Sequence, residues 1–449
     1  MKTRDWRDAT DESPPRDRIE LAEASAAETW SLFAAGDVKY RDRSARDAPV
    51  AQPLSSQIRA ADLSMVNLEA PVAGAGEPLS KSGPTLTVDP DVPDVLRAAG
   101  FDVATLANNH LMDYGEDGLR ATMDTCDRVG LETCGAGESE SAAMMPARFD
   151  VDGTSVAVFS LCEREFGIAD ADEPGTAWLG DDGALDRVAA AEADVTIVAA
   201  HGGVEYVPLP PLHRQERLRE FVDAGADLVV GHHPHVPQGW EVYDDVPIFY
   251  SLGNFLFPMP ERPKTQWGLA IEVEFAGDEP VGIDLIPTET VDETVDQAGT
   301  RVDPDDRLAY LNHVADLTAD RETLRAHWQE VCVAVFRQRY TRWLRTALAG
   351  DLVSQIRRPE QHFSADGIWE PDERESQMLA LLNLLRNRSH RSLMQTAIEV
   401  ETDKREDHRT ESVREHVPQL LEETEDEPIY DRRSPVQETL SALIERVTS

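Results

Sequence analysis

From Trp30 to about His233 short apolar runs, each closing on polar residues, alternate with stretches of helical periodicity. That alternation is the signature of an α/β fold. The runs that read as strands are 30–37 (WSLFAAGD), 63–69 (LSMVNLE), 101–109 (FDVATLANN), 155–162 (SVAVFSLC), 194–201 (DVTIVAAH) and 226–233 (ADLVVGHH). Between them, 93–99, 116–129 and 212–224 fit helices, each followed by a glycine at 100, 130 or 225. Strands then recur without intervening helices at 246–252, 268–275 and 281–286, which predicts a second sheet or an antiparallel extension.

With 449 residues the chain exceeds what a single core usually serves, so more than one unit is expected. Residues 1–29, charged and carrying the pair Pro14-Pro15, read as a flexible acidic arm, and 30–290 as the α/β domain. Residues 291–400 read as an appended helical region, in which Leu324, Trp328, Val331, Val335 and Leu348 fall near one face. The remainder, 401–449, is dense in charge and reads as a partly disordered tail with a short amphipathic helix at 436–447.

Charge says more about solvent than about partner. There are 85 Asp and Glu against 43 Lys and Arg, a formal charge of −42, and only five of the bases are lysines (Lys2, Lys39, Lys81, Lys264, Lys404). Such a surface repels itself in dilute buffer but tolerates molar salt, where the screening length falls to about 3 Å. A halophilic, salt-rich cytoplasm is the expectation, while a hydrophobic content of 41% argues against general disorder. Cys126, Cys134, Cys162 and Cys332 form no CxxC pair, so neither a zinc knuckle nor a disulfide framework is indicated. No apolar stretch of signal or membrane-spanning length occurs, so a cytoplasmic protein without direct membrane insertion is expected.

Five predicted strands end in residues able to bind metal or move a proton: Asp37, Glu69, Asn109 with His110, His201, and His233 with His235. In an open α/β sheet the carboxyl ends of strands line a common edge where ligands bind, so residues distant in sequence converge there. Carboxylate mixed with imidazole suits Zn, Mn or Fe, whereas an all-oxygen set would suit Mg or Ca. Alone, each residue also has a plainer reading. Asp37 can cap a turn, Glu69 can be a surface ion-pair partner, Asn109-His110 can be a polar strand end, His201 a hydrogen-bonded core histidine, and the 231–236 stretch (GHHPHV) a surface turn. It is their order along the chain that favours one shared site.

The segments GDV, NLEAPV, NNHLMDYGEDGL, HGGVEY, GHHPHV and YSLGNFLF, in this order between residues 30 and 260, resemble the motif series of CapA-type proteins of capsule and poly-γ-glutamate synthesis. That family is itself similar to the calcineurin-like metallophosphoesterases. The resemblance implies a four-layer sandwich of two mixed sheets between helices, and one or two divalent transition-metal ions. It implies Asp37 and His235 at the first metal, Asn109, His201 and His233 at the second, Glu69 as the bridging carboxylate and His110 as the proton donor. His232 is left as a flanking residue. The pattern departs from the wider superfamily at Lys39, where a histidine ligand is usual, and at Glu69, which replaces an aspartate.

Glu205 and Tyr206 are candidates to line the cleft, and Asn254 either binds substrate or caps the SLGN turn. The basic tracts 337–345 (RQRYTRWLR) and 385–391 (LRNRSHR) either bind an anionic polymer or pair with local carboxylates at helical spacing. No aromatic-interleaved basic groove points to nucleic acid. The expected function is a CapA-like role in capsule, exopolysaccharide or poly-γ-glutamate synthesis, as a metal-dependent hydrolase of a phosphoester or related bond. The alternatives are a non-catalytic polymer-binding component, working with a membrane-bound synthesis partner, and a general metallophosphoesterase.

Overall fold

The structure is a computed structural model and describes residues 15–22, 29–41, 49–349 and 371–425. Two mixed sheets dominate it. In the first, Thr29–Val38, Leu63–Leu68, Val103–Thr105 and Glu132–Cys134 run parallel in that order. Its other half is antiparallel: Trp267–Ala276 pairs with Thr29–Val38, and Glu279–Val291 follows. In the second sheet Thr154–Cys162, Val195–His201, Leu228–His232 and Val246–Phe249 are parallel. Antiparallel Ala147–Val151 and Trp240–Tyr243 flank them.

Strand periodicity of two explains the packing. Leu32 and Ala34 join Met65 and Val103 in one buried cluster, and residues of the second sheet such as Val156, Val158, Ile197 and Val230 belong to the same cluster. The neighbours Phe33 and Ala35 face the other way, onto Leu54, Ile58, Leu96 and Leu119 from helices Gln52–Ile58, Val92–Ala99 and Gly115–Val129. On the second sheet Phe159, Val198 and Val229 similarly meet Val188, Leu218 and Phe221 of helices Asp182–Ala189 and Leu212–Asp223. Each sheet is therefore apolar on both faces, as buried parallel strands require.

The expected third strand is shorter than its apolar run, ending at Thr105 rather than 109. Asn108 is the reason. Its Oδ1 accepts from the amides of His110 and Leu111 (3.1 and 2.8 Å) and its Nδ2 donates to the Leu68 carbonyl (2.9 Å). Side-chain bonds of this kind replace the ladder and turn the chain.

Two expectations about the ends need correction. Within the segment read as a flexible arm, Arg18–Glu20 is an edge strand on Glu279–Val291, fastened by Arg18 to Glu274 and Asp284 at 2.8 and 2.9 Å. Within the segment read as a partly disordered tail with one helix at 436–447, Glu411–Glu422 is a helix, and it buries Val413, Val417, Leu420 and Leu421. That i, i+4, i+7, i+8 spacing is one apolar helical face, hidden in the sequence by surrounding charge. The expected helix at 436–447 and the side chain of Leu348 lie outside the described residues.

The helical region consists of Pro304–Ala319, Arg321–Val335, Thr341–Ala349, Pro371–Arg386 and Arg388–Glu401, joined by the Glu411–Glu422 helix. Leu324, Trp328, Val331 and Val335 are buried together as expected. They share the cluster that lies between the sheets, so this region is packed on the α/β body and is not a tethered appendage. All four cysteines are buried and free. Among the described residues no helix is long and apolar enough to cross a membrane.

Candidate metal centre

The strand ends do converge. Asp37 closes Thr29–Val38, Glu69 follows Leu63–Leu68, His201 closes Val195–His201, and His232, His233 and His235 leave Leu228–His232. Asn254 begins a short strand paired with Asp37. This crossing is possible because Gly36 has no side chain: a Cβ there would lie 2.0 Å from the Gly253 carbonyl oxygen. All these residues are buried, Glu69 and Asp37 completely.

Two groups of donors come within 4.8 Å of one another, Glu69 with His201 and His233, and Asp37 with Glu69 and His235. Glu69 belongs to both. Its Oε1 lies 3.8 Å from His201 Nε2 and 3.7 Å from His235 Nε2. Asn109 joins the first group, its Oδ1 3.0 Å from His201 Nε2, and His233 Nδ1 is 3.1 Å from that same nitrogen. Asp37 Oδ2 is 3.6 Å from His235 Nδ1.

These residues fit a bound metal ion on a physical test. Both carboxylate oxygens of Glu69 are buried with no N–H donor against them, which is costly for the charged form unless a cation meets it. His201 Nε2 faces Asn109 Oδ1, Glu69 Oε1 and His233 Nδ1 together, a surplus of acceptors that one cation would satisfy. Protonation tells the same story. Burial, then the Asp37 carboxylate, pushes Glu69 well above the usual carboxylate range. Burial, then the neighbouring imidazoles, holds His201 well below the usual histidine range, and burial brings His233 down to about 4. Neutral imidazoles beside crowded carboxylates are what a metal site needs.

Supporting contacts fix the donors. Burial alone would raise Asp37, but a hydrogen bond with His232 and the nearby His235 pull its carboxyl down. Oδ1 of Asp37 accepts from Asn67 Nδ2 at 2.8 Å and lies 3.0 Å from His232 Nδ1. His232 thus holds Asp37, while His233 and His235 face the shared carboxylate. His235 Nδ1 is 2.9 Å from Asn254 Oδ1, and Asn254 Nδ2 donates to the Thr265 carbonyl (3.1 Å), so the Asn254 side chain orients His235. Lys39, where a histidine ligand would stand, lies 5.3 Å from the Phe257 ring centroid.

His110 stands beside this centre, on a polar relay that sequence reading missed. Its Nδ1 is 2.7 Å from Asp113 Oδ2, and Lys81 ion-pairs with Asp113 and donates to the Asn109 carbonyl at 3.1 Å. Burial and then the Lys81 charge lower the His110 imidazole, with Asp113 opposing. Asp113 is legible in the sequence, since it lies three residues after His110 on the same motif. Lys81 carries no such signal.

A cavity of about 520 Å³ opens against His110, Asn109, Lys81, Glu165 and Glu205. Its opposite wall is the helical region, through Trp343, Leu384 and His390. Polar contacts tie the two sides. Asn387 Nδ2 donates to Glu165 Oε1 (3.1 Å), Ser389 Oγ to Glu163 Oε1 (2.8 Å), and Arg339 to the Glu205 carbonyl (2.8 Å). Tyr206 does not line this cavity but a neighbouring one, with Arg262 stacked 3.8 Å from its ring centroid. Its carbonyl accepts from Thr424 Oγ1 (2.9 Å), pinning the end of the last described helix.

Residues 31–259 match the family described as bacterial capsule synthesis protein PGA_cap. The capsule biosynthesis protein CapA of Bacillus anthracis is 37% identical over 170 residues, 36% of this chain and 41% of that protein. The PGA biosynthesis protein CapA of Bacillus subtilis (strain 168) is 37% identical over 169 residues, 36% of this chain and 44% of that protein. A probable polyglutamine synthesis accessory protein of Mycobacterium tuberculosis is 31% identical over 211 residues, 43% and 55% of the two chains. The matched portion is thus about half or less of each relative's own length. Among solved structures, a hypothetical protein from Thermus thermophilus is similar at 17% identity and a TM-score of 0.38, over 58% of this chain and 100% of that one, a correspondence too loose to bear on the site.

Proposed function

Since the chain belongs to the bacterial capsule synthesis protein PGA_cap family, we propose that it serves the synthesis or processing of an anionic capsule polymer of the poly-γ-glutamate or exopolysaccharide kind, as a metal-dependent hydrolase of a phosphoester or related bond. The observation that carries this reading is Glu69, a fully buried carboxylate without a hydrogen bond, shared by two donor groups. We also take the two sheets and their helical outer faces to be the four-layer sandwich of the metallophosphoesterases, supported by the three separate apolar clusters.

In this reading Asp37, Glu69 and His235 would hold one ion and Glu69, Asn109, His201 and His233 the other, Glu69 belonging to both sets. Mn, Zn or Fe suits this mixed oxygen and nitrogen set. Bound ions would supply Lewis-acid polarisation of the scissile bond and a nucleophile near neutral pH. The chain's own groups do the rest. Asp113 fixes the His110 ring through Nδ1, leaving Nε2 to deliver a proton to the leaving oxygen. Lys81 holds Asp113 in place, and the helical wall closes one side of the cavity.

His110→Ala tests this directly. Turnover on phosphodiester substrates should fall by about 10²- to 10⁴-fold while metal content by elemental analysis stays unchanged. Full activity in the variant would sink the proton-donor role. Polymer binding with no turnover by either protein would favour the non-catalytic binding component instead.

A further inference from the structure

A second cavity, of about 300 Å³, lies across the Asn387 to His390 turn from the first. Its lining is unlike the rest of this chain: Arg164, Arg214, Arg217, Arg386, Arg388 and Arg391 all contribute, against the single carboxylate Glu163. In a protein of formal charge −42, six guanidinium groups around one hollow call for a physical reason. The plain reading of the 385–391 tract is that its arginines pair with local acids. The structure overturns that reading. Among the described residues no ion pair is formed by Arg164, Arg386, Arg388 or Arg391. The polar contact of Arg391 is with the Leu385 carbonyl (2.9 Å), while Arg164 and Arg386 lie on the rings of Trp178 and Phe166, at 5.5 and 4.0 Å. Of the six, Arg217 is the one that meets acids among the described residues, Glu220 at 2.8 Å and Asp182 at 4.0 Å.

The floor of the cavity supplies the independent observation. Arg214 is 1% exposed, and one of its nitrogens donates to the Ala200 carbonyl at 2.7 Å. Its Nε and a terminal nitrogen have no partner, nor have Nε and a terminal nitrogen of Arg386. Buried guanidinium donors left open are costly, and they are the donors that grip a planar oxyanion in two-point contact.

We propose that this cavity is a binding site for a carboxylate- or phosphate-bearing ligand, distinct from the metal centre. Glu163, Arg164 and Glu165 follow one strand in succession, with Glu163 and Arg164 lining the arginine cavity and Glu165 the metal-side one. The two cavities therefore flank the end of one strand. The site stands on its own observations and does not depend on hydrolysis at the metal centre.

The test is calorimetric titration of the full chain with two probes, a short glutamate oligomer and a linear oligophosphate, at the KCl concentration that keeps the protein folded. The double variant Arg386→Gln, Arg388→Gln leaves the buried Arg214 intact and so spares the fold, which circular dichroism verifies. Binding of one or both probes, weakened about tenfold or more in the variant with metal content unchanged, supports the site, and the stronger probe identifies carboxylate or phosphate as its ligand. Absence of binding by both probes, or equal affinity in the variant, overturns it. Loss of activity in His110→Ala with probe binding retained would separate this site from the hydrolytic reading.

Discussion

Replacing Glu69 by Gln is the most incisive perturbation of the centre, because the residue belongs to both donor groups and the others to one each. In the metal-free protein its carboxyl is pushed toward the neutral form by burial and by Asp37, so a neutral amide of similar shape should change metal-free stability by no more than about 1–2 kcal/mol. The metal-bound state behaves differently. An ion at 100 times its Kd stabilises the folded chain by about 2.7 kcal/mol. With roughly 2.1 cal/mol/K of unfolding entropy per residue, a chain of 449 residues shifts by about 1 °C per kcal/mol, hence about 3 °C for one ion and 6 °C for two. Calorimetry in chelator and then in saturating Mn or Zn, paired with elemental analysis, reads both quantities. The native chain should gain that increment, Glu69→Gln should lose it with both ions, and His201→Ala should lose only the part due to one. A Glu69→Gln protein that kept its metal and its full increment would refute the bridging role.

Two further outcomes follow from packing and titration. Burial, partly offset by the Thr196 amide, raises the Asp227 carboxyl to about 6. The folded state therefore binds this proton more tightly than the unfolded one, and the associated stability is present below about pH 4 and lost as pH rises through about 6. Asp227→Asn should accordingly raise Tm at pH 7.5, by the equivalent of about 1 kcal/mol after allowing for solvent screening, with no gain at pH 4. Denaturation at the two pH values decides it, and a loss at pH 7.5 would count against the burial argument. Leu421→Ala, at a fully buried position on the Glu411–Glu422 helix, should cost about 2–5 kcal/mol and speed proteolysis near the C-terminal helices, and a wild-type digestion rate would show that this helix is not docked.

Sequence periodicity carries the α/β alternation because each parallel strand is apolar on both faces and so reads as a continuous run. It carries the site for a related reason: the rule that strand ends gather on one edge collects Asp37, Glu69, Asn109, His201, His233 and His235 from the sequence alone. Applied without exception, the same rule also finds Glu163 and Glu165, which follow the 155–162 run and tie the helical wall to the centre. What the rule does not reach is that wall. Arg339, Asn387 and His390 lie over a hundred residues beyond the last strand-end donor, and although the 337–345 and 385–391 tracts stand out as basic islands, nothing local in them says that they face the strand-end cleft. Glu411–Glu422 escapes sequence reading because dense charge masks its four apolar positions.

The turn after Leu228–His232 shows what convergence on Glu69 demands of the backbone. His233 and His235 both have positive φ, 98° and 58°, a region that residues with side chains rarely occupy. Each such residue costs on the order of 1 kcal/mol or more and persists only when its surroundings over-determine it. Here they do. The His233 amide donates to Asp37 Oδ2 at 3.2 Å, the Pro234 carbonyl accepts from the Tyr206 amide at 2.8 Å, and Asn254 holds the His235 ring. With ordinary φ values the chain would continue as a strand, and side chains two residues apart would repeat on one face at nearly 7 Å spacing. Left-handed steps on either side of Pro234 instead fold the backbone over, so that imidazoles from one turn reach the two donor groups that share a single carboxylate. The strain therefore lies where two donor groups must be served by one loop, and it explains how three histidines crowd into four positions with each still meeting a different part of the centre: His232 on Asp37, His233 in the group with His201, and His235 in the group with Asp37.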